Sequence, residues 1–401
     1  MATIVLTDTS RDLWVDSLAV HSADLGFPAS SEFSITKRTL KGGRRDGVDF
    51  IQVENGALSF SIVPTRGMGI WKGRYHGDFV GWNSPVADGP IHPAYVNLMS
   101  QGGLGWLDGF DEVLVRCGLE NNGAPFQETA TNAADGSKRD TLFGLHGKIA
   151  NLAAHYVAIH IDEKPPHEIT IEGHVIESKL FHLQIRMVTK ISTVPGSNVL
   201  KVHDEFHNLR DSPSEFQVLY HWNFGPPHLD EGARLVAPIQ EVCPRDPRAQ
   251  EGIGHYDVYK APEAGYAEQV YFFKLHGDPA NGKTLAMLRN HKGDKAVALR
   301  FSTKEMPCFT LWKNTGGLKE GYVTGLEPAT NYPNARPFEK KNGRVVTLPP
   351  GGCQIIENVL EVLNTSEAVA KAEAEVKALQ SRGGPTVHKA PVEPLAPVAK
   401  S

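Results

Sequence analysis

Two segments place a titratable side chain among apolar neighbours, the setting in which such groups do acid–base chemistry. Glu327 lies in GLEPATN between Leu326 and Pro328, and His221 lies in VLYHWNFG between two aromatic residues. Histidine titrates near pH ~6.5 and glutamate near ~4.3, and partial burial raises the pKa of a glutamate toward neutrality. Such a pair can serve one small molecule as general acid and general base. These two residues are the first candidates for catalysis.

Two more segments carry a polar residue in an unusual context. Arg66 lies in a glycine-flanked turn in IVPTRGMGI, and His146 lies between Leu145 and Gly147 in GLHGKIAN. Each also has a plain structural explanation. Arginine is a common clamp on loop carbonyls, a single histidine in a strand is more often a core residue than a catalyst, and a glutamate before proline is usually solvated. The four segments become significant only if one mechanism needs them together.

The elements that must position these residues are predicted to be β-strands. Apolar and polar residues alternate in many short runs, such as 167–177, 181–192, 198–208 and 215–224, and clusters of Gly, Pro, Asn and Asp separate the runs. Regular alternation of strands with helices is not seen, which disfavours a parallel α/β fold. The pattern therefore predicts an all-β protein built as one large antiparallel β-sandwich.

The chain is predicted to divide into four regions. These are an N-terminal extension (1–34), the β-sandwich domain (35–363), a short C-terminal helix (364–382) and a disordered tail (383–401). The helix prediction rests on the Ala-, Glu- and Lys-rich stretch 366–382, with Ser366 as its N-cap and a glycine pair as its stop. The tail is rich in proline and poor in large apolar residues, which is typical of disorder.

Composition excludes several classes of protein. The 401 residues carry a formal net charge of −5 and a pI of about 6.4, so a basic surface for nucleic acid is not indicated. The four cysteines are far apart with no CxxC pair, which argues for reduced thiols and against a structural zinc site. Neither a signal peptide nor an apolar run of about 18 residues is present. We therefore expect a cytoplasmic protein with no membrane or nucleic-acid partner.

One reaction uses an acid, a base and binding groups together, namely the opening and closing of a cyclic sugar. The base removes the proton of the anomeric hydroxyl while the acid protonates the ring oxygen. The ring opens, the aldehyde turns about its bond to C2, and the ring closes on either face. This chemistry needs no metal or nucleotide, so the expected cofactor is none and the expected partner is a small-molecule sugar.

The order of His146 in LHG, His221 in a strand and Glu327 in GLE resembles the galactose mutarotase (aldose 1-epimerase) superfamily. The segments RGM, CGL, LHGKIAN, YHWNFG and GLEPATN are similar to its bacterial DUF4432 branch, over residues 35–362. The resemblance implies a galactose mutarotase-like β-supersandwich with a sugar in an open groove. It implies Glu327 as the general base, His221 as the general acid and His146 as a residue that holds sugar hydroxyls.

Other residues are expected to bind the substrate. Arg66 matches the RGM segment of the branch, while Asn331 and Arg336 follow Glu327 closely enough to reach the ligand or orient the glutamate. Trp106 is expected to pack its aromatic face on the sugar. Relatives in the branch carry acids where this chain has Thr65 and Gly69, so the identity of the sugar stays open, as does its charge.

Three alternatives remain at this level. A metal-assisted epimerase or lyase acting on a keto or acidic sugar would use His76, His92, His146, His221 and Glu327 as ligands, although no HxH or HExxH spacing supports it. A non-catalytic carbohydrate-binding protein would share the same fold. An interaction protein that uses the stretch 366–382 is disfavoured, because this helix is short for a coiled coil. The oligomeric state is not indicated.

Overall fold

The computed structural model describes residues 2–131 and 135–398, and most of them lie in β-strands. The strands of the first part of the chain are β1 (Ala2–Asp8), β2 (Leu13–Trp14), β3 (Leu18–His21), β4 (Ser34–Thr39), β5 (Asp49–Glu54), β6 (Leu58–Val63), β7 (Gly69–Tyr75), β8 (Asp78–Val80), β9 (Leu114–Leu119), β10 (Phe126–Thr131), β11 (Lys138–Phe143), β12 (Tyr156–Ile161) and β13 (Ile169–Ser178).

The second part of the chain continues in the same way. Its strands are β14 (Gln184–Thr193), β15 (Val199–Asn208), β16 (Ser214–Phe224), β17 (Arg234–Val236), β18 (Ile239–Pro244), β19 (Gln269–Leu275), β20 (Lys283–Arg289), β21 (Ala296–Ser302), β22 (Cys308–Thr315), β23 (Tyr322–Ala329), β24 (Val346–Leu348), β25 (Cys353–Leu363) and β26 (Thr386–Val387). The period-two pattern of the sequence thus gives strands along nearly its whole length.

Helices are few and short. The α-helices are α1 (Ser100–Gly103), α2 (Pro247–Glu251), α3 (Arg336–Lys341) and α4 (Ser366–Gln380). Single 3-10 turns cover Thr9–Arg11, Ser22–Leu25, Ala29–Ser31, Gly43–Arg45, Pro93–Tyr95, Gly105–Gly109, Ile149–Asn151 and Ile253–His255. Within residues 2–131 and 135–398, none of the helices has the length and apolar character needed to cross a membrane.

Most strands form two large sheets, while β10 and β11 form a separate two-stranded sheet. The ten-stranded sheet has the order β17-β20-β21-β25-β15-β14-β13-β12-β1-β2. The fourteen-stranded sheet runs β26-β18-β19-β22-β23-β16-β9-β7-β6-β5-β4-β3, with β24 paired to β16 and β8 to β7. Apart from the parallel pair β18–β26, the strand pairs of the described residues are antiparallel. The predicted all-β antiparallel sandwich is confirmed.

The core lies between the inner faces of the two sheets. Phe206 of β15 stacks on Phe216 of β16 with ring centroids 5.1 Å apart, which marks the contact of one sheet with the other. Arg116 of β9 donates to Asp204 of β15 in the same layer, with Nη2 2.9 Å from Oδ1, and Tyr220 donates to Asp204 at 2.8 Å. Separating the two sheets, or removing one member of this buried ion pair, would leave an uncompensated charge. These three residues therefore favour the packing of one sheet on the other.

The first residues of the chain contribute strands to both sheets. β1 pairs with β12 in the ten-stranded sheet, and β3 pairs with β4 in the fourteen-stranded sheet. Strands on both sides of the predicted boundary at residue 34 are therefore hydrogen-bonded within the same sheets, and the separate N-terminal region stays a prediction.

Helix α4 packs on the outer face of the ten-stranded sheet. Val369, Ala372 and Val376 are buried against β20 and β21. The short C-terminal helix is confirmed, but the prediction of Ser366 as its N-cap is wrong by one residue. The side chain of Thr365 accepts the backbone N–H of Ala368, because Thr365 has the extended backbone that an N-cap requires.

The prediction of a disordered tail is wrong for residues 383–398, and residues 399–401 lie outside the described part. β26 adds to the edge of the fourteen-stranded sheet, and Leu395 and Ala396 are buried in a cluster that includes Phe272 and Tyr332. Asn334 Nδ2 also donates to the carbonyl of Leu395 at 3.0 Å. The prolines of the tail lower the entropy lost on ordering, so a few apolar contacts suffice to hold it.

Candidate functional site

The candidate site lies on the outer face of the fourteen-stranded sheet, beneath a layer formed by residues 82–110 that we call the covering layer. Strand β16 is buried on both faces because Tyr220 and Trp222 point into the core, whereas His221 and Asn223 point toward this layer. Aromatic residues of the covering layer pack on the sheet, among them Trp106 and Phe110. The layer keeps the polar groups of β16 away from bulk water.

His221 and Glu327 face each other across neighbouring strands. The flanking pairs Trp222–Leu326 and Leu219–Ala329 fix the register of β16 against β23, which sets the two residues opposite each other. His221 Nε2 lies 3.2 Å from Glu327 Oε1, and both side chains are nearly fully buried. Together with His146 and Trp106 they line a pocket of about 220 Å³, somewhat smaller than the roughly 300–1,000 Å³ of typical small-molecule sites.

The space around the glycine of the GLE segment leaves no room for a side chain. Gly325 lies two residues before Glu327 on β23, so both residues face the pocket. A methyl group at Gly325 would collide with Glu327 Oε1 and lie 3.1 Å from Cε1 of His221. The absence of a side chain there leaves the space in which the histidine and the carboxylate approach each other.

The LHG segment is a tight loop that presents His146. His146 itself has a positive φ of 57°, and Gly147 follows at 69°, where a methyl group would collide with the carbonyls of Gly118 and Asn121. His146 Nδ1 donates to the backbone carbonyl of Asn122 at 2.7 Å, which leaves Nε2 as an acceptor. Burial lowers the pKa of His146 to about 4, so the ring is neutral at physiological pH.

Asn223 sets the tautomer of His221. Its Nδ2 donates to the carbonyls of Glu112 and His221, both at 3.0 Å, so its Oδ1 is left to accept from Nδ1 of His221 at 2.6 Å. The Nε2 of His221, which faces Glu327, is then the nitrogen that gains or loses a proton. Sequence reasoning did not assign Asn223 to the site, although its two-residue spacing from His221 in a strand puts both on one face.

Electrostatics leave one transferable proton in the pair. Burial raises the pKa of Glu327 well above its ordinary value, and the negative charge of Glu268 adds to this effect. Burial also lowers the pKa of His221 well below its usual range, and His146 contributes in the same direction. The two sites interact at 3.2 Å, so they titrate as a unit that contains one acid and one base.

An ion pair that sequence reasoning missed lines the same pocket. Arg245, just after β18, contacts Glu268, just before β19, with Nη2 3.0 Å from Oε1. Arg245 Nε also lies 2.7 Å from Asp246, and Trp312 Nε1 donates to Glu268 at 2.7 Å. The sequence around these residues carries no motif, and only the strand order β18-β19-β22-β23 brings them to the pocket.

Trp106 is a predicted substrate-binding residue that the structure does place at the pocket. Its ring centroid lies 4.7 Å from that of His146 and 6.2 Å from that of His221. Its buried Nε1 has no hydrogen-bond partner among the described residues. The indole therefore has an N–H donor still free for a ligand.

Arg66, by contrast, does not line the pocket. Its guanidinium is buried and fully engaged, with Nε on Glu112 Oε1 at 2.5 Å, Nη1 on Asn151 at 2.9 Å and Nη2 on the carbonyl of Gly109 at 2.9 Å. Glu112 in turn offers its backbone carbonyl to Asn223. Arg66 thus clamps the covering layer and supports the partner of His221, rather than reaching the pocket itself.

Asn331 and Arg336 also lie outside the pocket. Asn331 exchanges two hydrogen bonds with the side chain of Asn122, at 2.9 and 3.0 Å, and so holds the residue whose carbonyl orients His146. Arg336, at the start of α3, pairs with Glu215 at 2.8 Å. Proximity to Glu327 in sequence does not bring either side chain to the ligand, because the chain turns away after β23.

The metal hypothesis drawn from the sequence required five residues to converge. His146, His221 and Glu327 do meet, whereas His76 lies in the turn between β7 and β8, and His92 accepts the N–H of Ala94 at the start of a 3-10 turn. The five predicted ligands therefore do not form one set.

Comparisons with known proteins identify the family and the fold of the chain. The model of a domain of unknown function, DUF4432, matches residues 45–362. The chain belongs to the DUF4432 family. Among solved structures, a Klebsiella pneumoniae protein described provisionally as an aldose 1-epimerase is 35% identical with a TM-score of 0.92, and the match covers 98% of this chain and 99% of that one.

More distant structures share the fold of this DUF4432 protein. A galactose mutarotase-like protein from Clostridium acetobutylicum has a TM-score of 0.55 at 14% identity, covering 82% of this chain and 98% of that one. A galactose mutarotase related enzyme from Lactobacillus acidophilus has a TM-score of 0.51 at 12% identity, covering 79% and 98%. None of the curated proteins matches the chain. The galactose mutarotase-like fold is thereby established.

Proposed function

We propose that the protein is an aldose 1-epimerase, which interconverts the α and β anomers of a sugar by acid–base ring opening. The observation that carries the proposal is the 3.2 Å approach of His221 Nε2 to Glu327 Oε1, with both groups lining one pocket. Two groups at this separation can offer one acid and one base at the same time, as ring opening requires.

In the proposed reaction the proton that the raised pKa keeps on Glu327 first passes to Nε2 of His221. The ionised Glu327 then takes the proton of the anomeric hydroxyl while His221 gives its Nε2 proton to the ring oxygen. The C1–O5 bond breaks, and the open aldehyde rotates about its bond to C2. The reverse proton transfers then close the ring on either face. Asn223 Oδ1 accepts from Nδ1 throughout, so it stabilises the protonated imidazole on which the acid role depends.

The rest of the pocket suits a sugar. His146 Nε2 is an acceptor for a hydroxyl and Trp106 Nε1 is a donor, while the faces of Trp106 and Trp312 offer apolar surfaces for sugar C–H groups. A non-catalytic carbohydrate-binding protein would have no need to bury a titrating glutamate against a histidine. The names of the related structures, which refer to aldose epimerases and mutarotases, support the same choice.

The charges of the pocket favour an uncharged aldose. Arg245 is its one positive group among the lining residues, and Glu268 and Asp246 already pair with it. A phosphate or carboxylate on the substrate would therefore meet Glu268 and Glu327 without a free cation, which is unfavourable in a desolvated site. The same carboxylate of Glu268 is well suited to accept from sugar hydroxyls.

The test is anomer exchange followed by NMR on neutral hexoses and pentoses, with uronic acids for comparison. We expect Glu327→Gln and His221→Asn to lower kcat/KM by roughly 10²–10⁴-fold with the fold retained. The exposed residues Glu128 and His182 supply matched controls, since Glu128→Gln and His182→Asn make the same chemical changes away from the pocket. Wild-type exchange rates in either site variant would contradict the proposed roles, and faster exchange of uronic acids than of neutral sugars would contradict the substrate class.

A further inference from the structure

A group of metal-type ligands lies on the outer face of the ten-stranded sheet, away from the pocket. We call His203, Glu205, His207 and Cys353 the outer cluster. The first three lie at alternate positions of β15, and Cys353 of β25 is the register partner of His207, so all four share one face. Their side chains are partly or fully accessible to solvent, and the pocket belongs to the other sheet.

Three ligand atoms of the outer cluster converge. His207 Nε2 lies 3.0 Å from Glu205 Oε2 and 3.8 Å from Cys353 Sγ, and the three donor atoms lie within 4.8 Å of one another. Tetrahedral coordination with bonds of about 2.0–2.3 Å separates nitrogen, oxygen and sulfur ligands by roughly 3.3–3.6 Å. The observed separations of 3.0 and 3.8 Å fall on either side of that range, so small side-chain shifts would complete the geometry.

His203 stands next to these three ligands with its ring already oriented. Its Nδ1 lies 3.0 Å from Glu357 Oε1, while its Nε2 lies 3.3 Å from Glu205 Oε1. A carboxylate on one ring nitrogen of a histidine fixes the tautomer and frees the other nitrogen to act as a ligand, as at many metal centres. His203 is thus placed to orient Glu205 or to take a fourth position.

We propose that the outer cluster binds a divalent transition-metal ion of the zinc type, through Glu205, His207 and the thiolate of Cys353. A set of one carboxylate, one imidazole and one thiolate suits such an ion, whereas Mg²⁺ and Ca²⁺ prefer oxygen ligands alone. Binding releases the thiol proton of Cys353 to water. The ion would join β15 to β25 on the outer surface and leave one coordination position open to water or His203.

Nearby charges are compatible with this site. Lys190 of β14 lies 3.0 Å from Oε1 of Glu205, so it occupies the carboxylate oxygen that faces away from His207. The charged groups around the cluster are Lys190 and Arg186 of β14, of which Arg186 is the register partner of His207, together with Glu357 and Glu305. Two positive and two negative groups nearly cancel. Oε2 would exchange its contact with His207 for the ion, while Lys190 keeps its contact with Oε1.

Cobalt supplies the sharpest test, because only a thiolate ligand gives an intense sulfur-to-cobalt charge-transfer band in the near ultraviolet. Reduced, tag-free full-length protein should show this band with Co²⁺, and Zn²⁺ should remove it by displacement. The band should be lost in Cys353→Ser, since the other three cysteines are buried. Zinc titration calorimetry should show affinity lowered at least about 10-fold by His207→Ala.

The same sheet face offers a matched control. His174 lies 2.7 Å from Glu172 on β13, in a histidine–carboxylate contact with no cysteine, so His174→Ala should leave zinc affinity unchanged. Circular dichroism would check that each variant is folded. The proposal is overturned if the wild-type protein gives no cobalt–thiolate band, if Cys353→Ser keeps the band, or if His207→Ala and His174→Ala bind zinc equally well.

Discussion

The tautomer and the orientation of the His221 ring depend on Asn223 as well as on Glu327. The amide oxygen of Asn223 accepts from Nδ1, which directs the reactive Nε2 to the carboxylate 3.2 Å away. This hydrogen bond also opposes the fall in the pKa of His221 that burial causes. In the proposed reaction Asn223 is therefore a positioning residue, since it would act through the histidine without lining the pocket.

Asn223→Ala should lower kcat roughly 10–100-fold with little change in KM, because substrate contacts remain while the acid loses its orientation. The limb of the pH–rate profile that reports His221 should move to lower pH, since the hydrogen bond that raises its pKa is gone. Asn223→Ser, which keeps an acceptor oxygen, should recover part of the rate. An alanine variant with wild-type kcat and an unmoved profile would show that the tautomer needs no support from this residue.

Titratable residues in apolar contexts, taken together with one mechanism, indicated His146, His221 and Glu327, and an aromatic residue near a loop indicated Trp106. The structure brings all four to one pocket. Arg66 and Asn331 carry the same kind of local signal, yet they support Glu112 and Asn122 instead. Local sequence does not distinguish a side chain that meets a ligand from one that holds such a side chain, because both are polar and buried. Arg245 and Glu268 could not be predicted as pocket residues, because only the strand order brings them to the pocket.

At the scale of elements, the last residue of β9 and the loop that follows it link the pocket to the ten-stranded sheet. Asn122 in this loop orients His146, and the backbone N–H of Leu119 donates to Glu177 of β13 at 2.8 Å. Glu177 is buried, and burial raises its pKa to about 7. A carboxyl group with a raised pKa in the folded state destabilises the protein as pH rises, since the unfolded chain ionises more readily.

Glu177→Gln should therefore stabilise the protein at alkaline pH. The loss of stability from the buried carboxyl begins near the ordinary pKa of 4.5 and is complete above about pH 7, so the variant should match the wild type below that window. At pH 8 the gain should reach up to about 3 kcal/mol in the free energy of unfolding. Urea denaturation at pH 4.5 and pH 8 measures it, with the exposed Glu128→Gln as control. Equal stability of Glu177→Gln and the wild type at pH 8 would contradict the buried, titrating carboxyl.

At the scale of the whole molecule, two sheets share one core and the C-terminal tail closes part of the outer face. The sandwich was predictable because alternation of apolar and polar residues directly encodes strands with one face on a core. The ordered conformation of the tail was not predictable, because the composition of the tail matches that of disordered segments. Its order comes from a complementary groove at Phe272 and Tyr332, which no local pattern reveals.

Removal of residues 385–401 should lower the free energy of unfolding by about 2–5 kcal/mol, since it uncovers the apolar groove. Cys243 lies in the same cluster, with Sγ 3.8 Å from the carbonyl of Ala390. In the full chain a thiol reagent should label Cys353 rapidly and the buried cysteines slowly, whereas the shortened chain should show a second fast thiol. Unchanged stability and a single fast thiol after truncation would mean that the tail does not cover the sheet.

The position of the tail also bears on how the protein is made. A ribosome releases residues 392–396 after every strand of the sandwich from β1 to β25, so a nascent chain can assemble both sheets before the groove at Tyr332 is filled. Val270 belongs to this groove and also lines the pocket, which means that the wall of the pocket is finished late in translation. A newly made chain would then complete its pocket, and become able to bind a ligand there, only after residues 392–396 have left the ribosome.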